Sequence, residues 1–181
     1  MDLQKALKFA SEFVGKDPER PWMHGVAVWP MTDDEPGMVK ITATDGRKLG
    51  MTWAHTEYHT LADHVILCPK ALAAALKESV RYKSPIIDLG ESVLVGDHDI
   101  RRISRDIPWP SNWWDSFPTG SPEMRSRMLF DPALLSDVLL ALKRVSNDEP
   151  VDMQMFGDKK PVRVIDKDRL FHAWVMPYEQ R

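Results

Sequence analysis

One arrangement recurs along the chain: a short apolar extended run, a proline at the start of a helical run, and then alternating extended runs. Residues 65–68 lead into Pro69 and a helical run, and residues 127–130 lead into Pro132 and a second helical run. Proline is tolerated in a first helical turn because its missing N–H would have no intrahelical acceptor there. The copies lie roughly 63 residues apart, so the sequence predicts a fold of repeated modules.

A third copy, in a shorter form, opens the chain. Apolar residues at helical spacing run from Leu3 to Val14, and we expect this copy to lack the opening extended run because only Met1 precedes Asp2. Period-two alternation predicts the strands that follow the three helices. These strands are 25–29, 39–43 and 49–53, then 85–89, 91–95 and 99–103, then 151–155, 162–164 and 171–175. The pattern predicts an α+β fold of three βαβββ-type modules.

Composition limits the classes of protein to which this chain can belong. The 181 residues carry a formal net charge of −3, so the chain is not a generally basic nucleic-acid binder, and DNA contact requires a local basic face. Its single cysteine, Cys68, excludes an internal disulfide framework and cannot form a zinc site alone. No apolar run approaches the ~20 residues that span a bilayer, and the amino end lacks a signal-peptide core. We therefore expect a cytoplasmic protein without membrane contact.

Two motifs at distant places in the chain carry the functional argument. The first is 41–51, where Asp45-Gly46 separates two extended runs. This dipeptide is a strong hairpin signal because glycine accepts a positive φ without a steric penalty. The second is 171–178, an apolar strand that ends in Val-Met-Pro.

The Thr-Asp-Gly hairpin at 44–46, followed by two basic residues, and the terminal Val-Met-Pro together resemble the bacterial sliding clamp, the β subunit of the replicative DNA polymerase. Clamps are rings of βαβββ modules, two per domain, in which helices line the hole and sheets form the outer rim. The resemblance implies a DNA-clamp-like fold with sheets outside and helices on one face. Residues 1–118 resemble the two-module middle domain, and residues 119–181 resemble the carboxyl half of the last domain. The first domain and half of the third have no counterpart.

The resemblance implies a pocket that holds short linear peptides of polymerases and other clamp partners. The residues carried over to its walls are Thr44, Gly46, Arg47, Lys48, Leu49, Pro110, Trp114, Val162, Trp174, Met176 and Pro177. A shallow apolar groove of this kind suits an aliphatic or aromatic anchor. The family has a basic residue near Trp113 and Trp114 and a smaller aliphatic one at Trp174, so this pocket binds a different peptide or blocks itself. The alternative is that these residues only join two modules.

A basic stripe on the second helix is a candidate DNA face. Lys70, Lys77 and Arg81 fall at i, i+7 and i+11, within about 40° of the helix circumference. The resemblance implies that such helices face the phosphates of double-stranded DNA and bind weakly without reading sequence. Weaker contributions are expected from Lys5, Lys8, Lys143 and Arg144. The alternative is a simple solvated face.

A group of histidines suggests an alternative function, which belongs to a different class of protein. His55, His59 and His64 lie close together in sequence with Glu57 and Asp63. Histidines four apart converge on a metal only when they lie on a helix, and this segment follows a strand and reads as a polar loop. A metal-dependent hydrolase using these histidines is the less favoured alternative.

The favoured function is that of a shortened, sliding-clamp-like, non-enzymatic replication accessory protein without a cofactor. It binds clamp-binding peptides and, as an oligomer, encircles DNA. A monomeric decoy or regulator that binds the same peptides but not DNA is the main alternative. Because the number of modules is odd, the third module lacks a partner, and we expect a homodimer or a tetramer.

Overall fold

The computed structural model of the protein describes residues 2–31, 37–78, 83–103, 109, 118, 121–122, 128–146, 149–157 and 159–177. The helices are α1 (Leu3–Ser11), α2 (Pro69–Glu78) and α3 (Pro132–Ser146). The strands are β1 (Val26–Pro30), β2 (Met38–Thr44), β3 (Lys48–His55), β4 (Val65–Leu67), β5 (Ile86–Asp88), β6 (Ser92–Val95), β7 (His98–Arg101), β8 (Val151–Gln154), β9 (Val162–Asp166) and β10 (Phe171–Val175). A 3-10 turn, Pro21–His24, precedes β1. Within the described ranges, no helix is long and apolar enough to cross a bilayer.

The strands form antiparallel sheets that continue into one another. Seven strands lie in the order β4-β1-β2-β3-β10-β9-β8, and three lie in the order β5-β6-β7. At their junction the N–H of Cys68 donates to the carbonyl of Arg101 over 2.9 Å, and the N–H of Ile103 donates to that of Ile66 over 2.7 Å. The carboxyl end of β7 therefore runs along β4 and extends the larger sheet.

The predicted α+β architecture is confirmed, with one correction. Helix and strands follow one another as α1-β1-β2-β3, then β4-α2-β5-β6-β7, then α3-β8-β9-β10. The sequence predicted an opening strand at 127–130, and this was wrong for 128–130, which lie in no strand. The opening strand β4 is held by antiparallel pairing with β1 of the preceding module. No described strand pairs with 128–130.

Helices α1 and α3 pack on one face of the large sheet and α2 packs against β7 of the small sheet, and together they bury the main core. Helix α1 contacts both α2 and α3. Its Phe9 ring lies edge-on to Phe171 of β10, with 4.9 Å between the ring centroids. Phe13 packs directly over Gly50 of β3, where a Cβ atom would lie 2.3 Å from the ring. The glycine thus permits α1 to approach the sheet closely.

The opposite face of the sheet carries a second, aromatic core. It buries Ala27, Leu49 and Trp174, which alternate along their strands with residues of the main core. Trp109, from the connector after β7, is only 3% exposed and packs edge-on against Trp22 at 5.0 Å between centroids. Because exposed indole rings are unfavourable in water, this part of the Trp-rich connector covers the sheet.

Candidate peptide-binding site

The β2–β3 hairpin is organised by its own side chains. The carboxylate of Asp45 accepts hydrogen bonds from the N–H groups of Arg47 and Lys48, both over 2.9 Å. The hydroxyl of Thr44 accepts from the N–H of Gly46 over 3.0 Å, and Gly46 has a φ of +87°. Thr44, Asp45 and Gly46 each contribute to this turn, so the predicted hairpin is confirmed together with its local cause.

The final strand lies directly against this hairpin. In the register of β10 with β3, Trp174 pairs with Leu49 and Val175 with Lys48. One residue beyond β10, the N–H of Met176 donates to the carbonyl of Arg47 over 2.9 Å. Backbone pairing therefore brings together two motifs that are far apart in sequence.

A cleft of about 450 Å³ opens where the two motifs meet. Its lining includes seven residues predicted from sequence: Thr44, Gly46, Arg47, Lys48, Leu49, Trp174 and Met176. Val162 is fully buried and Pro177 is half-buried, and neither lines the cleft. Pro110 and Trp114 lie outside the described residues.

Two further segments complete the cleft, and the sequence argument did not assign either to the site. Arg20, Trp22 and Met23 come from the turn before β1, and 159–161 come from the loop before β9. The first segment could have been found, since its Arg-Pro-Trp-Met run combines arginine and tryptophan, which are enriched at binding sites. The second, Lys-Lys-Pro, carries no signal beyond that of a basic turn.

The lining of the cleft combines an apolar floor with cationic edges. Arg20, Arg47, Lys48 and the lysines at 159 and 160 belong to it, and the described lining contains no carboxylate. The two hairpin cations are partly neutralised from behind by α3. Lys48 Nζ lies 2.7 Å from the Asp137 carboxylate, and Arg47 lies 2.9 Å from that of Asp131. The hydrogen bond from Arg47, helped by the backbone N–H of Ala133, lowers the pKa of Asp131.

The helix face carries a separate groove of about 800 Å³. Of the predicted DNA-binding residues, Lys5, Lys8, Lys77 and Arg144 line it. Lys70 and Lys143 are exposed but lie outside its lining, and Arg81 lies outside the described residues. Asp2 and Glu12 share the groove, and Glu12 forms an ion pair with Arg144. The groove is thus mixed in charge with a cationic excess.

Of the histidines proposed for a hydrolase, His64 is engaged by its neighbours. The ring of His64 stacks on Trp29 with 4.4 Å between centroids, and its Nδ1 lies 3.1 Å from the Asp63 carboxylate. Hydrogen bonds from the backbone N–H and ring of His64 lower the pKa of Asp63. Across the part of the chain that the structure describes, no three His, Cys, Asp or Glu side chains form a group that could hold a metal ion.

No protein-family model and no curated protein matches the chain. Comparison with solved structures finds many similar chains. The DNA polymerase sliding clamp of Bacillus subtilis superposes with a TM-score of 0.72 at 14% identity, covering 99% of this chain and 62% of that one. The β sliding clamp of C. crescentus, solved with polyethylene glycol at a proposed β-motif tethering region, gives 0.74 at 13%, covering 99% and 64%. The DNA polymerase III subunit β of Pseudomonas aeruginosa gives 0.74 at 13%, covering 98% and 64%.

The structure therefore has a DNA-clamp-like fold. More narrowly, the chain has the fold of the bacterial DNA polymerase III β subunit, which confirms at the level of the fold the resemblance drawn from its hairpin and final strand. It spans less than two thirds of the length of those clamps.

Proposed function

We propose that this chain is a non-enzymatic, clamp-like replication accessory protein that binds short linear peptides of a DNA polymerase or its partners. The observation that carries the proposal is the pairing of β10 with β3, which brings Trp174 and Met176 beside the Asp-Gly hairpin in the lining of one cleft. The solved structures compared above are polymerase clamps, and one has a proposed β-motif tethering region.

The chemistry of the cleft suits a peptide with apolar anchors. Leu49 and Trp174 are almost fully buried and form the floor, whereas Met176 is 39% exposed at the edge. An aliphatic or aromatic side chain that enters the cleft removes apolar surface from water on both partners. Buried anchors of this type supply most of the affinity of short peptides.

We further propose two units, 1–118 with two modules and 119–181 with one, and a weak, sequence-independent contact with double-stranded DNA. The groove lined by Lys5, Lys8 and Lys77 lies on the helix face, where cations can meet phosphates. The carboxylates of Asp2 and Glu12 weaken this contact. That mixed charge is the observation that favours the second candidate function, a peptide-binding decoy or regulator that does not bind DNA.

The third module supports assembly into a homodimer or a closed tetramer. Within the chain, the segment before α2 forms β4 and pairs with β1, the first strand after α1. The corresponding parts of the third module are residues 128–130, before α3, and β8, the first strand after α3. Residues 128–130 lie in no strand, and β8 has no neighbour on its outer side among the described strands. In a dimer with a two-fold axis, residues 128–130 of each copy can pair with β8 of the other. An open strand edge is otherwise a liability in water.

The central test is titration with a peptide of the Gln-x-x-Leu-x-Phe type, followed by tryptophan fluorescence and calorimetry. We expect micromolar affinity, about −8 kcal/mol at 1 μM, and a change in emission because Trp22 and Trp174 line the cleft. The control is the same peptide with Leu and Phe replaced by Ala. Equal signals from both peptides, or no signal from either, would reject the proposed peptide site. Metal analysis of the purified protein tests the hydrolase reading.

A further inference from the structure

We propose that the cleft selects peptides whose apolar anchors are flanked by aspartate or glutamate. This inference rests on the proposed peptide-binding function and adds the charge of the partner to it. The charge of the cleft is opposite in sign to the net charge of the whole chain. The chain has a net charge of −3, yet the described lining of the cleft holds five cationic residues and no acidic one.

The cations bracket the apolar floor because of the order of the strands. Arg20 lies over the hairpin turn, where a Cβ on Gly46 would be 3.3 Å from its guanidinium nitrogen. The lysines at 159 and 160 precede β9, whose Val162 pairs with Val175 of β10. Since β10 lies between β3 and β9, positive charge flanks the cleft both beside the hairpin and beyond the final strand.

The two sides differ in how far neighbouring carboxylates already neutralise them. Behind the hairpin, Asp131 and Asp137 pair with Arg47 and Lys48 at 2.9 and 2.7 Å. At the edge of the cleft, Arg20 lies 3.7 Å from the carboxylate of the partly exposed Asp17 and pairs with no other described carboxylate. Lys160 is exposed and forms no ion pair with a described residue. Arg20 and Lys160 are therefore the cations available to a bound peptide.

In this arrangement, the apolar floor determines the affinity for a peptide and the charged rim determines the selectivity between peptides. An apolar anchor in the floor supplies most of the affinity, while solvent-exposed charges at the rim guide association and penalise peptides of the wrong sign. Each exposed ion pair contributes little, so one flanking carboxylate should tighten binding by about 1.5- to 5-fold. The gain should disappear in high salt because screening shortens the range of such interactions to about 3 Å at 1 M.

The experiment compares three peptides that share the Gln-x-x-Leu-x-Phe anchor and carry Asp-Asp, Ser-Ser or Lys-Lys on each side. Fluorescence anisotropy gives the Kd of each in ~0.05 M and ~0.5 M salt. We expect the acidic peptide to bind tightest and the basic one weakest, with the three values converging in high salt. Lys160→Glu should reduce or reverse the order. The matched control is Lys167→Glu, a same-charge change at an exposed lysine outside the cleft, which should keep the order.

The outcomes separate this inference from the proposed function. If all three peptides bind equally and without salt dependence, the cleft binds peptides but the charge preference is wrong. If Lys160→Glu and Lys167→Glu change the order to the same degree, the preference arises from overall charge and the inference also fails. If no peptide binds, the proposed function fails and the inference falls with it.

Discussion

The guanidinium of Arg47, at the tip of the β2–β3 hairpin, lies 2.9 Å from the carboxylate of Asp131, the residue that precedes α3. The same carboxylate accepts a hydrogen bond from the N–H of Ala133 over 2.9 Å and so caps the helix. Asp131 therefore interacts both with the first turn of α3 and with the hairpin that lines the cleft. Local helix formation and the shape of the candidate site are coupled through this contact.

The first prediction separates the two roles of Asp131. Asp131→Ala should lower the melting temperature more than Asp131→Asn, because asparagine is an equally good N-cap but lacks the charge that pairs with Arg47. Arg47→Ala should resemble Asp131→Asn. Thermal unfolding followed by circular dichroism at pH 7 measures all three. Identical melting temperatures for the Ala and Asn variants at Asp131 would show that the cap does not contribute.

The second prediction tests the edge of the cleft. Met176→Ala should weaken binding of the Gln-x-x-Leu-x-Phe peptide by about 1–3 kcal/mol if Met176 contacts an anchor. Met153 on β8 is a matched control, since it is 38% exposed against 39% for Met176 and lies outside the cleft. Met153→Ala should leave the Kd unchanged. Calorimetry gives both values, and an equal loss in the two variants would count against a specific contact at Met176.

The third prediction concerns His172, which lies against Trp53 and Trp174 on the aromatic face. Burial lowers its pKa, and the carbonyl of Arg169, 3.1 Å from Nε2, only partly offsets this effect. The folded state therefore binds this proton less readily than the unfolded state. Stability should be highest above the unfolded pKa of about 6.5 and should fall as the pH drops towards the folded value.

His172→Gln removes that titration, so its stability should change less between pH 7 and pH 5 than that of the unaltered protein. Urea unfolding at both pH values gives the comparison, and the contributions of other titrating groups cancel in the difference between the two proteins. The prediction is wrong if the two proteins lose the same free energy of unfolding over this interval.

The fourth prediction addresses the groove on the helix face. If it contacts DNA, a circular duplex should be bound weakly and with steep salt dependence. The double variant Lys8→Glu/Lys77→Glu should reduce binding further. Lys70→Glu should have a smaller effect, because Lys70 lies outside the groove. Binding that ignores salt, or an effect of Lys70→Glu as large as that of the double variant, would exclude this groove as the contact.

The fifth prediction concerns assembly. Light scattering at micromolar concentration should give at least twice the 20.8 kDa mass of the chain. Leu140 of α3 is 48% exposed, and Leu140→Glu should weaken the dimer if this helix faces its copy. Leu89→Glu, at a leucine 55% exposed in the turn between β5 and β6, is the control and should not. A monomer mass for the unaltered protein would favour the decoy function.

Much of the fold and about half of the described cleft could be predicted from sequence. Proline at the start of α2 and α3, the N-cap Asp131 and the turn signal Asp45-Gly46 act through neighbours in the chain. Period-two alternation likewise located the strands of the large sheet. The hairpin and final strand supplied seven cleft residues through their resemblance to the sliding clamp, since each motif is short enough to be recognised in the sequence.

Contacts between segments far apart in the chain determined the rest of the fold and of the candidate sites. Residues 128–130 carry a strand-like sequence but lie in no strand, since a strand needs a partner for its backbone hydrogen bonds and no described strand pairs with them. Lys70 and Lys77 share a helical stripe, yet only Lys77 lines the groove, because the packing of α1 and α3 determines which part of α2 borders it.

By itself, the sequence determined the elements whose energies are local: three capped or amphipathic helices, a hairpin with a specified turn, and strands with one apolar face. Only the tertiary structure decided that Arg20 and Lys160 approach the same cleft. Their positions depend on the order β2-β3-β10-β9, which is fixed by backbone pairing and by burial of the two apolar faces of the sheet. Such pairing joins residues far apart in the chain, and no short pattern around either residue encodes it.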